Sequence, residues 1–217
     1  FSNHINYYGS IMRLYIPLFF LVLFFNITSY SIRAEITLNN LIFDDTKPYH
    51  LKILDAIPKE AKIQIGPDNA KNTIIEFFDY FCGYCKKIHP ELIELVESRS
   101  DVRVIFLQHP ILNESSRVIA KIAIAANFQN KGYEFHNALF SIEGSITSEK
   151  LQNSIKKIGL NEAKLAIDVD RDEIDNLLKL SSFLAGGSGA RGTPSIFIND
   201  NFYPGYLPKA KIKGLLK

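Results

Sequence analysis

Apolar residues form two kinds of pattern around the cysteines of the chain. Residues 73–78 and 102–107 are short runs rich in β-branched and aromatic side chains, which is typical of buried strands. Between them, apolar residues recur at helical spacing from Cys85 to Val96, which predicts a helix that begins near the cysteines and runs to about Glu97. The order strand, helix, strand predicts that the two strands are parallel.

The middle of the chain changes to a nearly continuous helical pattern, from residue 115 to residue 185. The stretch Gly-Gly-Ser-Gly at 186–189 ends this block and predicts a flexible joint. A third strand is predicted at 195–198, and a last helix at 209–217. Together these elements indicate an α/β chain in which a helical block separates the first strands from the last.

The pattern in residues 35–66 is irregular, because two prolines interrupt its apolar positions. We predict two short helical pieces with polar joints there. The chain is therefore divided into residues 1–34, an N-terminal extension at 35–66, and a domain at 67–217 with a helical insertion at about 115–189.

The first 34 residues have the order of a secretory signal. A short basic start at Met12-Arg13 precedes an apolar run at 14–25, and the small residue Ala34 precedes the expected cut. Met12 is the only methionine, so we interpret it as the start and residues 1–11 as translated upstream sequence. An uncleaved membrane anchor is the alternative, but the run is about a dozen residues long, whereas spanning takes about 20.

Composition and charge bound the class of protein. With 217 residues, of which 47% are hydrophobic, the chain is long enough to bury the core of one domain. Arg13 and Arg33 are the only charged residues before Glu35, so the rest of the chain carries 23 basic and 23 acidic side chains. This neutral balance argues against nucleic acid as the main partner.

The chain has two cysteines, in the motif Cys82-Gly83-Tyr84-Cys85. They are too few and too close together for a framework of structural disulfides. Because the motif opens a predicted helix, unpaired N–H groups favour a thiolate at Cys82, while Cys85 lies one turn further in. We predict thiol–disulfide exchange, with Cys82 attacking and Cys85 resolving the mixed disulfide. The chemistry needs thiols alone, so no cofactor is expected.

Metal binding is the alternative use of two nearby cysteines. A structural zinc site needs four ligands, and the nearest candidate for a third ligand is His89. Two soft thiolates also suit copper(I), which leaves a copper-handling binding protein as a hypothesis of another class. The strand before the motif and the predicted export signal favour redox chemistry, so no metal site is predicted.

Four separated stretches of the chain carry the distinctive sequence. They are Ile-Glu-Phe-Phe-Asp-Tyr-Phe-Cys-Gly-Tyr-Cys-Lys-Lys at 75–87, Glu-Phe-His-Asn-Ala-Leu-Phe at 134–140, Gly-Thr-Pro-Ser-Ile-Phe-Ile at 192–198, and Pro204-Gly205. In this order they resemble the DsbA-like periplasmic thiol-disulfide oxidoreductases, especially the branch that includes suppressor-of-copper-sensitivity protein C. The resemblance extends from about Gly66 to the C-terminus.

The resemblance implies a thioredoxin fold with an inserted helical subdomain. It also implies a cis peptide bond at Thr193-Pro194 that faces the cysteines, where the extended Thr193 backbone pairs with a client strand beside Cys82. Glu76 matches a buried acid beneath the family's active site, which takes the proton from Cys85 during exchange. A partly exposed strand carboxylate is the alternative interpretation of Glu76.

Three residues near the cysteines bear on the kind of exchange. Strong oxidases of the DsbA type usually carry Pro-His between the cysteines and Val before the cis-proline, whereas this chain has Gly83, Tyr84 and Thr193. That combination resembles the dimeric periplasmic isomerases of the DsbC type. We therefore predict an exported disulfide isomerase, with a monomeric DsbA-type dithiol oxidase as the alternative.

The resemblance also implies partners and a location. The expected partners are unfolded or mispaired secreted proteins and a membrane redox partner that resets the enzyme. Residues 35–66 are a candidate segment for homo-oligomerisation, and a strap packed on the domain's own sheet is the alternative. The expected location is the periplasm after export, or the inner membrane if the signal remains as an anchor.

Overall fold

The computed structural model describes residues 41–217. The predicted signal at 1–34 and the start of the predicted extension, residues 35–40, lie outside the described residues. Within the described part of the chain, every helix is too short or too polar to cross a membrane.

The described residues alternate between short strands and helices, as an α/β chain requires. The strands are β1 (Lys62–Ile65), β2 (Asn72–Phe78), β3 (Val102–Gln108), β4 (Ser195–Ile198) and β5 (Asn201–Pro204). The helices are α1 (Tyr49–Ala56), α2 (Gly83–Ser98), α3 (Glu114–Asn127), α4 (Gly132–Phe140), α5 (Ser148–Lys157), α6 (Glu162–Val169), α7 (Asp172–Gly187) and α8 (Lys209–Leu215). A short 3-10 turn, Lys59–Ala61, precedes β1.

The strands form one mixed sheet in the order β1-β3-β2-β4-β5. The central strands β2 and β3 are parallel, with Ile75 opposite Ile105, which confirms the prediction from the strand–helix–strand order. The other neighbouring pairs are antiparallel. Every residue of β2 is buried, as expected for a central strand that is covered on both faces.

The helices α3 to α7 form the inserted block between β3 and β4. They begin at Glu114 and end at Gly187, close to the predicted limits of 115 and 189. The Ser181 hydroxyl on α7 donates a hydrogen bond to the Gln108 carbonyl at the end of β3, over 2.6 Å. The predicted fold class, a thioredoxin fold with a helical insertion, is confirmed.

Residues 49–65 pack on the domain, as the strap interpretation expects. Helix α1 buries Ile53 completely, and β1 pairs with β3 so that Lys62 lies opposite Leu107. The Asn127 amide on α3 donates to three carbonyls between residues 59 and 62, over 2.9 to 3.1 Å.

The predicted start of the domain, at residue 67, lies too late, because β1 belongs to the sheet. Its four residues are too few for alternation to identify a strand.

The glycine-rich stretch at 186–189 is not simply a flexible joint. Its first two residues belong to α7, and the backbone turns at Gly189, where φ is +84°. A Cβ at Gly187 would lie 2.2 Å from the Tyr49 hydroxyl oxygen, and that hydroxyl donates to the Leu184 carbonyl over 3.1 Å. Gly187 is therefore needed for the close packing of α1 against α7.

Candidate active site

Cys82 lies where the chain leaves β2 and enters α2. It is the N-cap residue of α2, and its sulfur accepts a hydrogen bond from the Cys85 backbone N–H over 3.4 Å. The sulfur thus takes the role of a capping oxygen at a helix N-terminus. Cys82 is 7% exposed and Cys85 is fully buried, so Cys82 is the thiol that a protein disulfide can reach.

The surroundings of Cys82 stabilise its thiolate. The pKa of Cys82 is lowered from 9.0 to about 5, chiefly because the Cys85 thiol donates a hydrogen bond to its sulfur. The Thr193 side chain and the backbone N–H groups of Cys85 and Tyr84 also lower this pKa, while burial opposes them. At neutral pH Cys82 is therefore a thiolate, which is the nucleophilic form.

Cys85 and Glu76 are both fully buried near Cys82. Burial raises the pKa of Cys85, and the hydrogen bond to Cys82 and the charge of Glu76 raise it further. Burial likewise raises the pKa of Glu76, and the Cys85 thiol offsets part of that rise. Glu76 is fully buried, and among the described residues neither of its oxygens makes a hydrogen bond of normal geometry. It is thus a buried acid near Cys85, and the alternative of a partly exposed carboxylate is wrong.

The loop before β4 approaches Cys82 from the other side. The Thr193-Pro194 peptide bond is cis, which confirms the prediction. The Cys82 sulfur lies 3.1 Å from the Thr193 carbonyl oxygen, to which it donates a hydrogen bond when it is protonated. Residues 192–194, the proline loop, are held by a hydrogen bond from the Ser195 hydroxyl to the Gly192 carbonyl over 2.7 Å. Because β4 pairs with β2, the loop is positioned by the same strand that positions Cys82.

Asp79 holds the segment that leads from β2 to Cys82. Its carboxylate is buried and accepts four hydrogen bonds over 2.9 to 3.0 Å, from the backbone N–H groups of Phe81, Ile111 and Leu112 and from the Ser116 hydroxyl. These donors come from the segments that follow β2 and β3 and from the start of α3. Asp79 thus joins three segments at this edge of the sheet, and its place directly after a buried strand was the sequence signal for such a role.

A buried group that we call the histidine cluster, Tyr80, His89, His136 and Phe140, lies between α2 and α4. The Tyr80 hydroxyl and His136 Nδ1 are 3.1 Å apart, and the His89 and His136 rings are 4.8 Å apart between centroids. The Phe140 ring lies 4.8 Å from His89 and 4.9 Å from His136. Burial lowers the pKa of His89 to about 4 and holds the pKa of His136 well below 6.5. Both histidines are therefore neutral at physiological pH.

The position of His89 removes it as a candidate metal ligand beside the cysteines. Its Nε2 atom lies 3.2 Å from the Asn137 side-chain oxygen on α4, on the side of α2 that faces the insertion. Across residues 41–217, no group of three or more His, Cys, Asp and Glu side chains is arranged to hold a metal ion.

A second group, which we call the tyrosine cluster, lies on another face of α2: Tyr84, Lys87 and Glu91 with Tyr206 and Lys209. The Tyr84 and Tyr206 rings are 5.9 Å apart between centroids, and the Lys87 ammonium lies 4.5 Å from the Tyr206 ring centroid. Glu91 accepts hydrogen bonds from the Tyr206 hydroxyl over 2.7 Å and the Lys209 backbone N–H over 2.8 Å. Sequence reasoning missed Tyr206, because no local pattern brings residue 206 to the cysteines.

A low-pKa thiolate at a strand-to-helix junction, with a buried second thiol and a cis-proline loop on a thioredoxin-like sheet, defines the thiol-disulfide oxidoreductase class. The chain belongs to the family of the DSBA-like thioredoxin domain, whose family model matches residues 73–217. The predicted family is thus confirmed. The match covers the cysteine motif, the helical insertion and the proline loop.

Solved structures of similar proteins agree with this assignment. A thioredoxin-like oxidoreductase from Silicibacter pomeroyi is 30% identical, with a TM-score of 0.67, over 71% of this chain and 90% of that one. The thiol-disulfide exchange protein alpha-DsbA2 from Wolbachia pipientis is 29% identical, with a TM-score of 0.63, over 70% of this chain and 86% of that one. The catalytic domain of Proteus mirabilis ScsC is 23% identical, with a TM-score of 0.67, over 77% of this chain and 94% of that one. This similarity supports the fold alone.

Curated relatives include larger proteins. A Na(+)/H(+) antiporter NhaA from Salinispora arenicola is 24% identical over 147 residues, and the match covers 64% of this chain and 22% of the antiporter. The chain thus spans about a fifth of the length of that relative. The thiol:disulfide interchange protein DsbC from Escherichia coli is 26% identical over 167 residues, which cover 76% of this chain and 59% of that protein.

Proposed function

We propose that the chain is an exported disulfide isomerase, which rearranges disulfides of secreted proteins through the Cys82-Gly83-Tyr84-Cys85 centre. The observation that carries the proposal is the contrast between the two thiols. Cys82 is the more exposed of the two, at 7%, and has a pKa of about 5, whereas Cys85 is fully buried with a raised pKa. Exchange needs this asymmetry, because one thiol must attack while the other waits.

The first step is attack by the Cys82 thiolate on one sulfur of a client disulfide. The new bond joins Cys82 to the client, the client's S–S bond breaks, and its second sulfur leaves as a thiolate. We propose that the Thr193 backbone pairs with an extended client segment, which would align the disulfide with the attacking sulfur. The contact of 3.1 Å between the Thr193 carbonyl and the Cys82 sulfur supports this role.

Two fates of the mixed disulfide separate isomerisation from oxidation or reduction. In isomerisation, another client thiolate attacks the client sulfur bound to Cys82, so Cys82 leaves as a thiolate and no net redox change occurs. In the other path, the Cys85 thiolate attacks the Cys82 sulfur, the client leaves reduced, and the enzyme holds a Cys82–Cys85 disulfide. When this path runs in reverse, the Cys82–Cys85 disulfide oxidises a client dithiol.

Glu76 is suited to serve the second path as a proton acceptor. Cys85 must lose its proton before it attacks, and Glu76 is a fully buried carboxyl whose charge acts on the Cys85 thiol. Burial raises the pKa of the Glu76 carboxyl, so its carboxylate is a stronger base than an exposed carboxylate. A Glu76→Gln variant should therefore slow release from the mixed disulfide more than formation of the mixed disulfide.

The residues around the cysteines support isomerase over oxidase activity. Gly83, Tyr84 and Thr193 stand where strong oxidases carry Pro, His and Val, and the relative DsbC is named as a thiol:disulfide interchange protein. The test is the recovery of activity by scrambled ribonuclease, with a monomeric dithiol oxidase as control. Recovery no faster than that of the control would exclude the isomerase and leave the oxidase.

A matched variant sharpens this test. The triple change Gly83→Pro, Tyr84→His and Thr193→Val installs the oxidase-type residues. A Cβ at Gly83 meets no atom within 4 Å, and proline is favoured at the first position of a helix, so the change should be tolerated. We expect the variant to oxidise reduced ribonuclease faster and to unscramble it more slowly. Equal unscrambling by both proteins would argue against a role of these residues.

The roles of the two cysteines have a direct test. Cys82→Ser should reduce exchange to the uncatalysed rate, whereas Cys85→Ser should accumulate mixed disulfides with clients, visible on non-reducing gels. Exchange by the Cys82→Ser protein would contradict the assignment of Cys82 as the attacking thiol.

The proposed setting is the periplasm, with secreted proteins as clients and a membrane protein as redox partner. Oligomerisation is proposed for the part of the N-terminal extension that precedes α1, residues 35–48, since residues 49–65 form α1, the 3-10 turn and β1 of the domain. Leu41 and Phe43 of this segment pack against the core. Ile42 is 96% exposed within this segment. Measurement of the mass in solution with and without residues 35–48 tests this part, and an unchanged monomeric mass would remove it.

A further inference from the structure

The turn between β5 and α8 connects the two halves of the active site. The Gly205 N–H donates a hydrogen bond to the Pro194 carbonyl over 2.9 Å, which ties the turn to the proline loop. On its other side the Tyr206 hydroxyl and the Lys209 backbone N–H both donate to Glu91 on α2. Gly205 has a φ of +88°, a conformation that favours glycine, and so allows this reversal. The turn therefore bridges the proline loop and the helix that carries the cysteines.

The Tyr206 ring packs against two further side chains of α2. Its plane is tilted by 31° from that of Tyr84, at the centroid distance of 5.9 Å, and the Lys87 ammonium lies within cation–π range. Tyr84, Lys87 and Glu91 are three and four residues apart, so they share one face of the helix. Tyr84 is 61% exposed, so its contact with the Tyr206 ring lies at the surface.

We propose that Tyr206 is a positioning residue for disulfide exchange, which holds the proline loop and the first turn of α2 in place on the two sides of the Cys82 thiol. The Thr193 carbonyl lies 3.1 Å and the Cys85 backbone nitrogen 3.4 Å from the Cys82 sulfur, so both contacts depend on where these two segments lie. Tyr206 acts through Tyr84 and through the proline loop. The inference rests on the proposed exchange activity.

The test compares Tyr206→Ala with Tyr206→Phe in the full reduced chain. The readout is the pH dependence of Cys82 alkylation by iodoacetamide, which reports the thiolate fraction. In Tyr206→Ala the first turn of α2 should be held less firmly, so the backbone N–H groups of Cys85 and Tyr84 should donate less well to the Cys82 sulfur and its pKa should rise above about 5. A rise of about one unit would lower the thiolate fraction at pH 5 about fivefold. Tyr206→Phe keeps the ring contacts and loses the hydrogen bond to Glu91. Its rate of Cys82 alkylation at pH 5 should therefore stay within about twofold of that of the natural chain.

Ile212→Val provides a matched control. Ile212 is fully buried in α8, so the loss of one methyl loosens the same C-terminal segment and keeps the contacts of Tyr206 with Tyr84, Lys87 and Glu91. Slower alkylation at pH 5 in Tyr206→Ala and an unchanged profile in Ile212→Val support the proposal. If Tyr206→Ala does not fold, Tyr206→Leu keeps apolar volume without the aromatic face and gives the same comparison.

An unchanged Cys82 pH profile in a folded Tyr206→Ala or Tyr206→Leu protein would overturn the proposal. So would an equal change in Ile212→Val, since that would indicate general loosening of the segment. Alkylation needs no client, so either result leaves the proposed isomerase activity to be judged separately by the ribonuclease assay.

Discussion

The helix α2 meets two very different surroundings on two of its faces. Towards the insertion it meets the histidine cluster, where His89 is 3% exposed and His136 is fully buried, and both rings are neutral. Towards the C-terminal turn it meets the tyrosine cluster, where Tyr84 is 61% exposed and charged groups pair at the surface. The same helix therefore has one dry face and one open face.

This difference separates stability from reactivity. Aromatic rings on the dry face are packed in contact with one another, and burial of such surface is the main favourable contribution to folding. Contacts on the open face are hydrogen bonds, an ion pair, one ring contact and one cation–π contact near the surface. Such contacts add little free energy but fix geometry beside Cys82. Substitutions on the dry face should mainly lower the free energy of unfolding. Substitutions on the open face should mainly change the pKa of the Cys82 thiol.

The largest expected effect comes from the dry face. Phe140 is 5% exposed and its ring lies 4.8 to 5.7 Å from the rings of Phe78, Tyr80, His89 and His136. Phe140→Ala should lower the free energy of unfolding by about 3–5 kcal/mol, because it leaves a cavity among these rings. Urea unfolding measures this. The control is Phe183→Ala, 46% exposed on α7, which should cost less than about 1 kcal/mol. Equal losses would contradict the contrast between the two settings.

The next effect is a pH dependence from the dry face. The pKa of His89 is 6.5 when unfolded and about 4 when folded, so the unfolded chain binds a proton first as the pH falls. Above pH 6.5 the ring is neutral in both states and does not affect stability. As the pH falls from 6.5 to 4, protonation of the unfolded chain lowers the free energy of unfolding by about 3 kcal/mol. His89→Gln cannot titrate.

Urea unfolding of both proteins at a series of pH values isolates this contribution. Carboxylates also titrate, but they are common to both proteins and cancel in the difference. The charge of a protonated His89 lowers the pKa of His136, so the difference includes this coupling between the two rings. The natural chain should lose about 3 kcal/mol more than His89→Gln between pH 6.5 and pH 4. Parallel stability curves would mean that His89 is not held neutral by its burial.

The two faces also differ in how far sequence could predict them. The strands β2, β3 and β4, the helix α2 and the Cys82 position follow from local apolar pattern and motif spacing, and the structure agrees with them. The contact of Tyr206 with Tyr84 and the pairing of β1 with β3 join residues far apart in the chain. The local sequence of the four residues of β1, or of Tyr206, does not specify such a distant contact. Both contacts could therefore be identified only in the folded structure.

The smallest expected effect comes from the open face. The Lys209 ammonium forms an ion pair with Glu94 on α2, and the Glu94 side chain is 60% exposed. Water competes for both charges and holding two long side chains costs entropy, so such pairs contribute little to stability. Glu94→Gln should therefore lower the Tm by at most about 2 °C in low salt. In about 1 M salt, where exposed charges are screened over about 3 Å, the difference from the natural chain should disappear. Thermal unfolding followed by circular dichroism at both salt concentrations checks this. A loss comparable to that of Phe140→Ala, or one that persists in high salt, would mean that the open face contributes to stability as the dry face does.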